Sequence, residues 1–126
     1  MRKDLIGLGA VIALLLGAPL ALGQMMTEQF IPMGQSPGLS GKYTDLGEIE
    51  QVDVEGRTIT LGGAAGGRAV AVTERTRIWL DRSKLQQTNV AGGFADLRKG
   101  RQVEVKYEDD ERRQAAAWIK VESTRQ

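Results

Sequence analysis

The stretch that decides the fold is residues 101–108, which read RQVEVKYE. Apolar and polar side chains alternate along it without a break. One face carries Val103, Val105 and Tyr107, and the other carries Glu104, Lys106 and Glu108. A period of two is typical of a β-strand with one buried face. The stretch therefore predicts a strand whose apolar face lies on a core and whose charged face lies in solvent.

Five further segments show short runs of the same kind between turn signals: residues 46–54, 57–61, 69–73, 76–80 and 115–121. In the first of them, the step from Ile49 to Val52 breaks the period of two and predicts a β-bulge. Residues 83–87 are expected to form one helical turn, and the charged residues 109–114 a hairpin tip. Strands at this spacing predict an all-β fold. We expect a closed OB-like barrel of five to six strands, with an SH3-like barrel or a small sandwich as alternatives.

The beginning of the chain has the pattern of a secretory signal. Arg2 and Lys3 precede residues 5–22, which contain no charged side chain. The small residues at the end of this run are typical of a signal-peptide cleavage site, here between Gly23 and Gln24. We therefore predict a signal peptide over residues 1–23, including an apolar helix, and export to the periplasm or the medium. The alternative is an uncut inner-membrane anchor, because the apolar run is close to the roughly 18 residues that span a bilayer.

Residues 24–42 separate this leader from the predicted domain, residues 43–126. They contain Pro32 and Pro37, several glycines and serines, and no periodic pattern, which predicts a flexible linker. This segment also holds Met25, Met26 and Met33, and thioether sulfur is a ligand that copper(I) prefers. A periplasmic metal-handling protein that uses this methionine-containing tail is therefore an alternative function.

The composition excludes much chemistry. The chain has no cysteine and no histidine, so it lacks the thiolate nucleophile, the commonest general base and the commonest zinc ligand. Arg2, Lys3 and Asp4 precede the apolar run, and the rest of the chain carries 15 charges of each sign. A neutral domain has no overall field that attracts nucleic acid. We expect no enzyme, no cofactor, no catalytic or metal-binding residue, and no nucleic-acid partner.

One segment offers a candidate binding surface. Within residues 75–89, the period of two places Trp79 outward among charged side chains, and exposed tryptophans of this kind anchor partners. The candidate surface consists of Arg77, Trp79, Asp81, Arg82 and Lys84. The alternative is that Trp79 packs near Trp118 and the charges are solvated. The predicted function is a non-enzymatic binding or structural module for an envelope protein or peptide, which touches the membrane only through an uncut leader.

Several short motifs carry a resemblance over residues 47–122. They are Gly47-x-Ile49, Val70-x-Val72-Thr73, Thr76-x-Ile78, Asp96-Leu97-x-x-Gly100-x-x-Val103-x-Val105 and Ala117-x-Ile119. This layout resembles exported bacterial small β-barrel domains, OB-like and of unknown function. More distantly, it is similar to the periplasmic copper-efflux chaperones, whose barrel binds copper through His, Met and Trp. Because the chain has no histidine and no methionine after Met33, the resemblance does not imply a copper site.

Overall fold

A computed structural model of the protein describes residues 27–124. Seven strands in this range form one sheet: β1 (Thr44–Asp53), β2 (Thr58–Leu61), β3 (Arg68–Ala71), β4 (Arg77–Asp81), β5 (Val90–Ala91), β6 (Gln102–Tyr107) and β7 (Ala116–Glu122). Three short 3₁₀ turns connect them, at Gly63–Ala65, Ser83–Leu85 and Phe94–Asp96. The predicted all-β class and the helical turn after residue 83 are confirmed. The predicted helix of the leader lies outside the described residues.

The predicted closed barrel is wrong, because the sheet is open and mixed. Its strand order is β3-β2-β1-β6-β7-β4-β5, and only the β4–β7 pair is parallel. The sheet curls far enough for Ala71 in the edge strand β3 to form an isolated bridge with Ala115, where the Ala71 N–H donates to the Gln114 carbonyl over 2.8 Å. A single bridge does not make a barrel, since the two edge strands β3 and β5 do not pair with each other.

The concave side of the curled sheet holds the core. Its fully buried members include Ile59, Leu61, Val70, Val103, Val105, Ile119 and Val121. The inward orientation predicted for Val103, Val105 and Tyr107 is therefore confirmed. So is the predicted bulge in β1, where the pairing with β2 shifts between Ile49 and Gln51. The bulge lets β1 pair with β6 along its first half and with β2 along its second half.

The other side of the sheet is covered by residues 27–42, which we call the strap. The sequence predicts a flexible linker here, and for these residues the structure contradicts that prediction. The strap folds into a series of turns and hydrogen-bonds to β4, β6 and β7. A segment without apolar periodicity can dock in this way because hydrogen bonds of its backbone groups and of its polar side chains, rather than an apolar face, make these contacts.

No helix within residues 27–124 is long and apolar enough to cross a membrane.

Candidate functional site

The structure does not bring the predicted Trp79 surface together as an exposed patch. Trp79 is only 5% exposed and lies against Trp118, with the ring centroids 5.5 Å apart and the planes tilted by 34°. Asp81 is buried too. The expectation of an exposed tryptophan is therefore wrong, and the alternative, packing near Trp118, is confirmed. The physical reason is the strap, which covers the face on which Trp79 lies.

The three cations of that predicted surface lie at its margin. Arg77 is exposed beside the buried ring of Trp118 on the neighbouring strand. Arg82 donates from Nε to the Thr88 carbonyl over 2.7 Å. Lys84 pairs with Glu122 at 3.0 Å while remaining largely exposed. These contacts are local and solvated, so they build no concave site.

Under the strap lies a cluster of buried charges. Glu104 on β6 and Lys120 on β7 are cross-strand partners, and neither has any exposed surface. Lys120 Nζ donates to the Glu28 carboxylate over 2.8 Å, to the Ile31 carbonyl over 2.9 Å and to Ser36 over 3.4 Å. It also lies 4.9 Å from the centre of the Trp118 ring, within the range of a cation–π contact. The expectation that Glu104 faces solvent is wrong.

Glu104 is satisfied entirely by donors around it. One carboxylate oxygen accepts from the Gly34 N–H over 2.9 Å, and the other accepts from the Ser40 and Thr44 hydroxyls over 2.5 and 2.8 Å. Two of these three donors belong to the strap. A buried carboxylate is tolerated only when such hydrogen bonds replace its water, so the strap and Glu104 depend on each other.

Asp81, at the end of β4, holds the middle of the strap. Its carboxylate accepts from the Met33 N–H over 2.7 Å and from the Ser83 N–H over 2.9 Å. Burial on its own would raise the pKa of Asp81, but the hydrogen bonds from Ser83 and Met33, together with the charge of Lys120, outweigh it and hold that pKa below its usual value. Asp81 is therefore a charged acceptor at neutral pH.

A second charged cluster lies where the sheet curls. The Asp45 carboxylate accepts from the Tyr107 hydroxyl over 2.8 Å, and it pairs with Arg68 at 2.7 Å and Arg113 at 2.6 Å. Burial, with smaller contributions from the hydrogen bond to Asp45 and the charge of Asp45, raises the pKa of Tyr107 far above its usual value. Both carboxylate oxygens of Asp45 and the Tyr107 hydroxyl are engaged in these contacts, so this cluster ties the strands together.

An open groove of about 770 Å³ lies between the second half of β1 and residues 97–99. Its lining includes two carboxylates, two hydroxyls and two cations: Glu50, Asp53, Thr58, Thr60, Arg98 and Lys99. A smaller hollow of about 390 Å³ shares part of this lining and extends the groove toward Gly100. Opposite charges along a solvated groove suit a polar, extended ligand.

Of the three methionines on which the metal-handling alternative rests, Met33 lies among the described residues. The Met33 side chain is half-buried, and its backbone N–H is used by Asp81. Met25 and Met26 lie outside the described residues. Within residues 27–124, no group of three or more carboxylate, imidazole or thiol side chains is placed to hold a metal ion.

No protein-family model, curated protein or solved structure matches this chain. A proposal about function therefore rests on the geometry of the described residues.

Sequence reasoning missed both the groove and the buried charges under the strap. The groove joins residues that are about 45 positions apart in the chain, such as Asp53 and Arg98, and local periodicity carries no information about such a pairing. Lys120 offers a weak signal, because it stands in an otherwise apolar run, AAAWIKV, at residues 115–121. A lone charge in an apolar strand is a reason to look for a buried partner.

Proposed function

We propose that the protein is an exported, non-enzymatic binding module, and that its ligand is an extended polypeptide segment of an envelope component. The observation that carries this proposal is the groove beside β1, which joins an unpaired strand edge to side chains of both charges. Peptide-binding domains commonly use these two features together: backbone pairing supplies affinity, and side-chain pockets supply specificity.

The strand edge follows from the bulge in β1. β6 pairs with β1 over Thr44–Glu48, and β2 pairs with it from Ile49 to Asp53. On the side turned away from β2, residues 50–53 have no strand partner among the described residues. An extended peptide laid along this edge would extend the sheet by one strand, as in β-augmentation.

The side chains around the groove favour a polypeptide over an apolar small molecule. Glu50 and Asp53 offer acceptors, Arg98 and Lys99 offer cationic donors, and the hydroxyls of Thr58 and Thr60 serve either role. Small-molecule sites are mostly apolar and enclosed, whereas this groove is open and polar. A peptide with both acidic and basic side chains matches it best.

Export rests on the leader of residues 1–23 and on the resemblance to exported small β-domains. The membrane-anchored form is the alternative. Glu28, which docks on the sheet, is six positions after Leu22, and six extended residues span at most about 20 Å. An uncut leader would therefore hold the sheet next to the bilayer. The intact mass of the exported protein distinguishes the two forms, since cleavage gives a chain that starts at Gln24.

Charge reversal in the groove tests the binding function. The double variant Arg98→Glu/Lys99→Glu should retain the fold, because both residues are exposed, and should lower the amount of partner captured from an envelope extract at least tenfold. The matched control is Arg75→Glu/Arg112→Glu, which makes the same charge change on exposed residues away from the groove. Equal capture by both variants, measured by quantitative mass spectrometry, would rule out the groove as the binding site.

A further inference from the structure

The face of the sheet beneath the strap resembles a peptide-binding site that is already occupied. The groups on the sheet are deeply buried: Lys120 and Glu104 have no exposed surface, and Trp118 and Asp81 are less than 5% exposed. The hydrogen bonds that hold Lys120 all come from the strap, as does one hydrogen bond of Asp81 and two of the three on Glu104. Without an occupant, Lys120 would lose all of these partners, and Asp81 and Glu104 would keep only the hydrogen bonds from Ser83 and Thr44.

The strap, by contrast, is buried only in part. Ser36 is its one buried residue, and Ile31, Met33 and Leu39 are half-buried. Its largest apolar side chain, Phe30, is 56% exposed and contributes little to packing. Segments with few buried apolar contacts open locally at low free-energy cost. The strap therefore resembles a bound peptide more than a layer of the core.

We propose that this face is a second peptide-binding site, distinct from the groove, which residues 27–42 occupy within the chain and which an acidic segment of a partner polypeptide occupies in their place. The structure defines the chemistry of that segment. It needs a carboxylate for Lys120, as Glu28 provides, and then two consecutive backbone N–H groups five and six residues later for Asp81 and Glu104.

The second of these N–H groups belongs to Gly34, at a position whose backbone conformation favours glycine. Gly34 has φ of +80°, a conformation that side-chain-bearing residues rarely adopt. The ligand rule is therefore an acidic residue followed by glycine six positions later. The tether gives the strap an effective concentration on the order of millimolar, so a free segment competes only when the strap is weakened or the segment binds more tightly.

The experiment uses the full chain with Glu28→Gln, which weakens the strap and leaves the sheet unchanged. The probe is a synthetic peptide of residues 27–42, and binding is followed by the fluorescence of Trp79 and Trp118. We expect this peptide to bind the variant at least tenfold more tightly than the wild-type protein and to restore the variant's melting temperature. The same peptide carrying Gly34→Ala should bind at least tenfold more weakly. The matched control is Glu108→Gln, a half-exposed glutamate outside the strap face, which should bind the peptide no better than wild type.

Absence of binding to the Glu28→Gln protein at several millimolar peptide would overturn the proposal, and so would equal binding of the Gly34→Ala peptide. A measurement on the wild-type protein keeps the test independent of any variant's folding. The amide hydrogens of Met33 and Gly34 should exchange at least tenfold faster than those of Val105 and Ile119 in the central β6–β7 pair. Exchange at the same rate would show that the strap opens only with global unfolding. None of these readouts involves the groove, so the two proposals can fail separately.

Discussion

At the scale of the residue, Glu104 is a carboxylate without exposed surface whose charge is balanced by three hydrogen bonds. Glu104→Ala leaves the Gly34 N–H and two hydroxyls without an acceptor. Each buried donor left unsatisfied costs about 1–3 kcal/mol, so we expect a loss of about 3 kcal/mol in the free energy of unfolding. In a domain of this size, that loss lowers the melting temperature by roughly 12–24 °C.

Glu108 provides the control for that substitution, because the sequence pattern assigns it to the same face as Glu104, but it lies beyond the end of β6 and pairs with the exposed Arg75 over 3.2 Å. Exposed ion pairs contribute about 0–1 kcal/mol, so Glu108→Ala should leave the melting temperature nearly unchanged. Calorimetry of the two variants measures the contrast. Similar losses in both would contradict the burial of Glu104.

Trp79 gives a second prediction at this scale. Because its ring is buried against Trp118, Trp79→Ala should cost about 3–5 kcal/mol, the usual range for truncating a buried aromatic residue. The neighbouring Arg77 is exposed, and Arg77→Ala should change the stability by less than about 0.5 kcal/mol. Urea denaturation of both variants checks the prediction. A Trp79→Ala protein as stable as wild type would show that the ring lies in solvent.

At the scale of the element, six of the seven strands are predictable from the sequence, whereas the short β5 (Val90–Ala91) and the covering of the sheet are not. The alternation in residues 101–108 correctly places Val103 and Val105 toward the core, because a period of two reports which side chains share a face. It says nothing about what lies on the opposite face. The pattern therefore predicts that Glu104 and Trp79 face solvent, although the strap buries both.

The docking of the strap on the sheet is not predictable from the sequence for a related reason. Half of the strap's six hydrogen bonds to Asp81, Glu104 and Lys120 use its backbone groups, such as the Met33 N–H on Asp81 and the Ile31 carbonyl on Lys120. Every residue except proline carries the same backbone N–H and C=O, so no side-chain pattern marks a segment that binds in this way. Glu28 is the one charged side chain of the strap that pairs with the sheet, and a single glutamate is too common to be diagnostic.

The contacts between the strap and the sheet should weaken at acidic pH. The pKa of Asp81 lies below its usual value in the folded protein, so its contribution to stability is fully present above the unfolded pKa of about 4 and is lost as the pH falls through the lower folded value. We expect the free energy of unfolding, measured by urea denaturation, to fall between pH 5 and pH 2 by more in wild type than in Asp81→Asn. Parallel pH profiles in the two proteins would contradict this role for Asp81.

At the scale of the whole molecule, the open sheet is held in its curl by a tie that spans distant parts of the chain. Asp45 in β1 binds Arg68 in the edge strand β3, Arg113 in the β6–β7 connection and Tyr107 in β6. Arg113 also donates to the Lys42 carbonyl at the end of the strap. The sequence predicted a closed ring because alternating strands of this length need a curled sheet to bury their core. It does not show that ion pairs between distant residues and one isolated bridge, rather than a full strand ladder, connect the sheet across its curl.

This tie makes the fold sensitive to alkali. The pKa of Tyr107 is raised far above its usual value by burial and by Asp45, so the folded state favours the neutral phenol. Its contribution to stability is fully present below the unfolded pKa of about 10 and is lost as the pH rises above it.

Tyr107→Phe removes a hydrogen bond to a carboxylate and should cost about 1.5 kcal/mol at pH 8, while making the decline in stability above pH 10 shallower. Tyr43→Phe, at an exposed tyrosine, should retain the wild-type decline. Urea denaturation at pH 8, 10 and 11 compares the three proteins, and an equally steep decline in Tyr107→Phe would show that the tie does not depend on the neutral phenol.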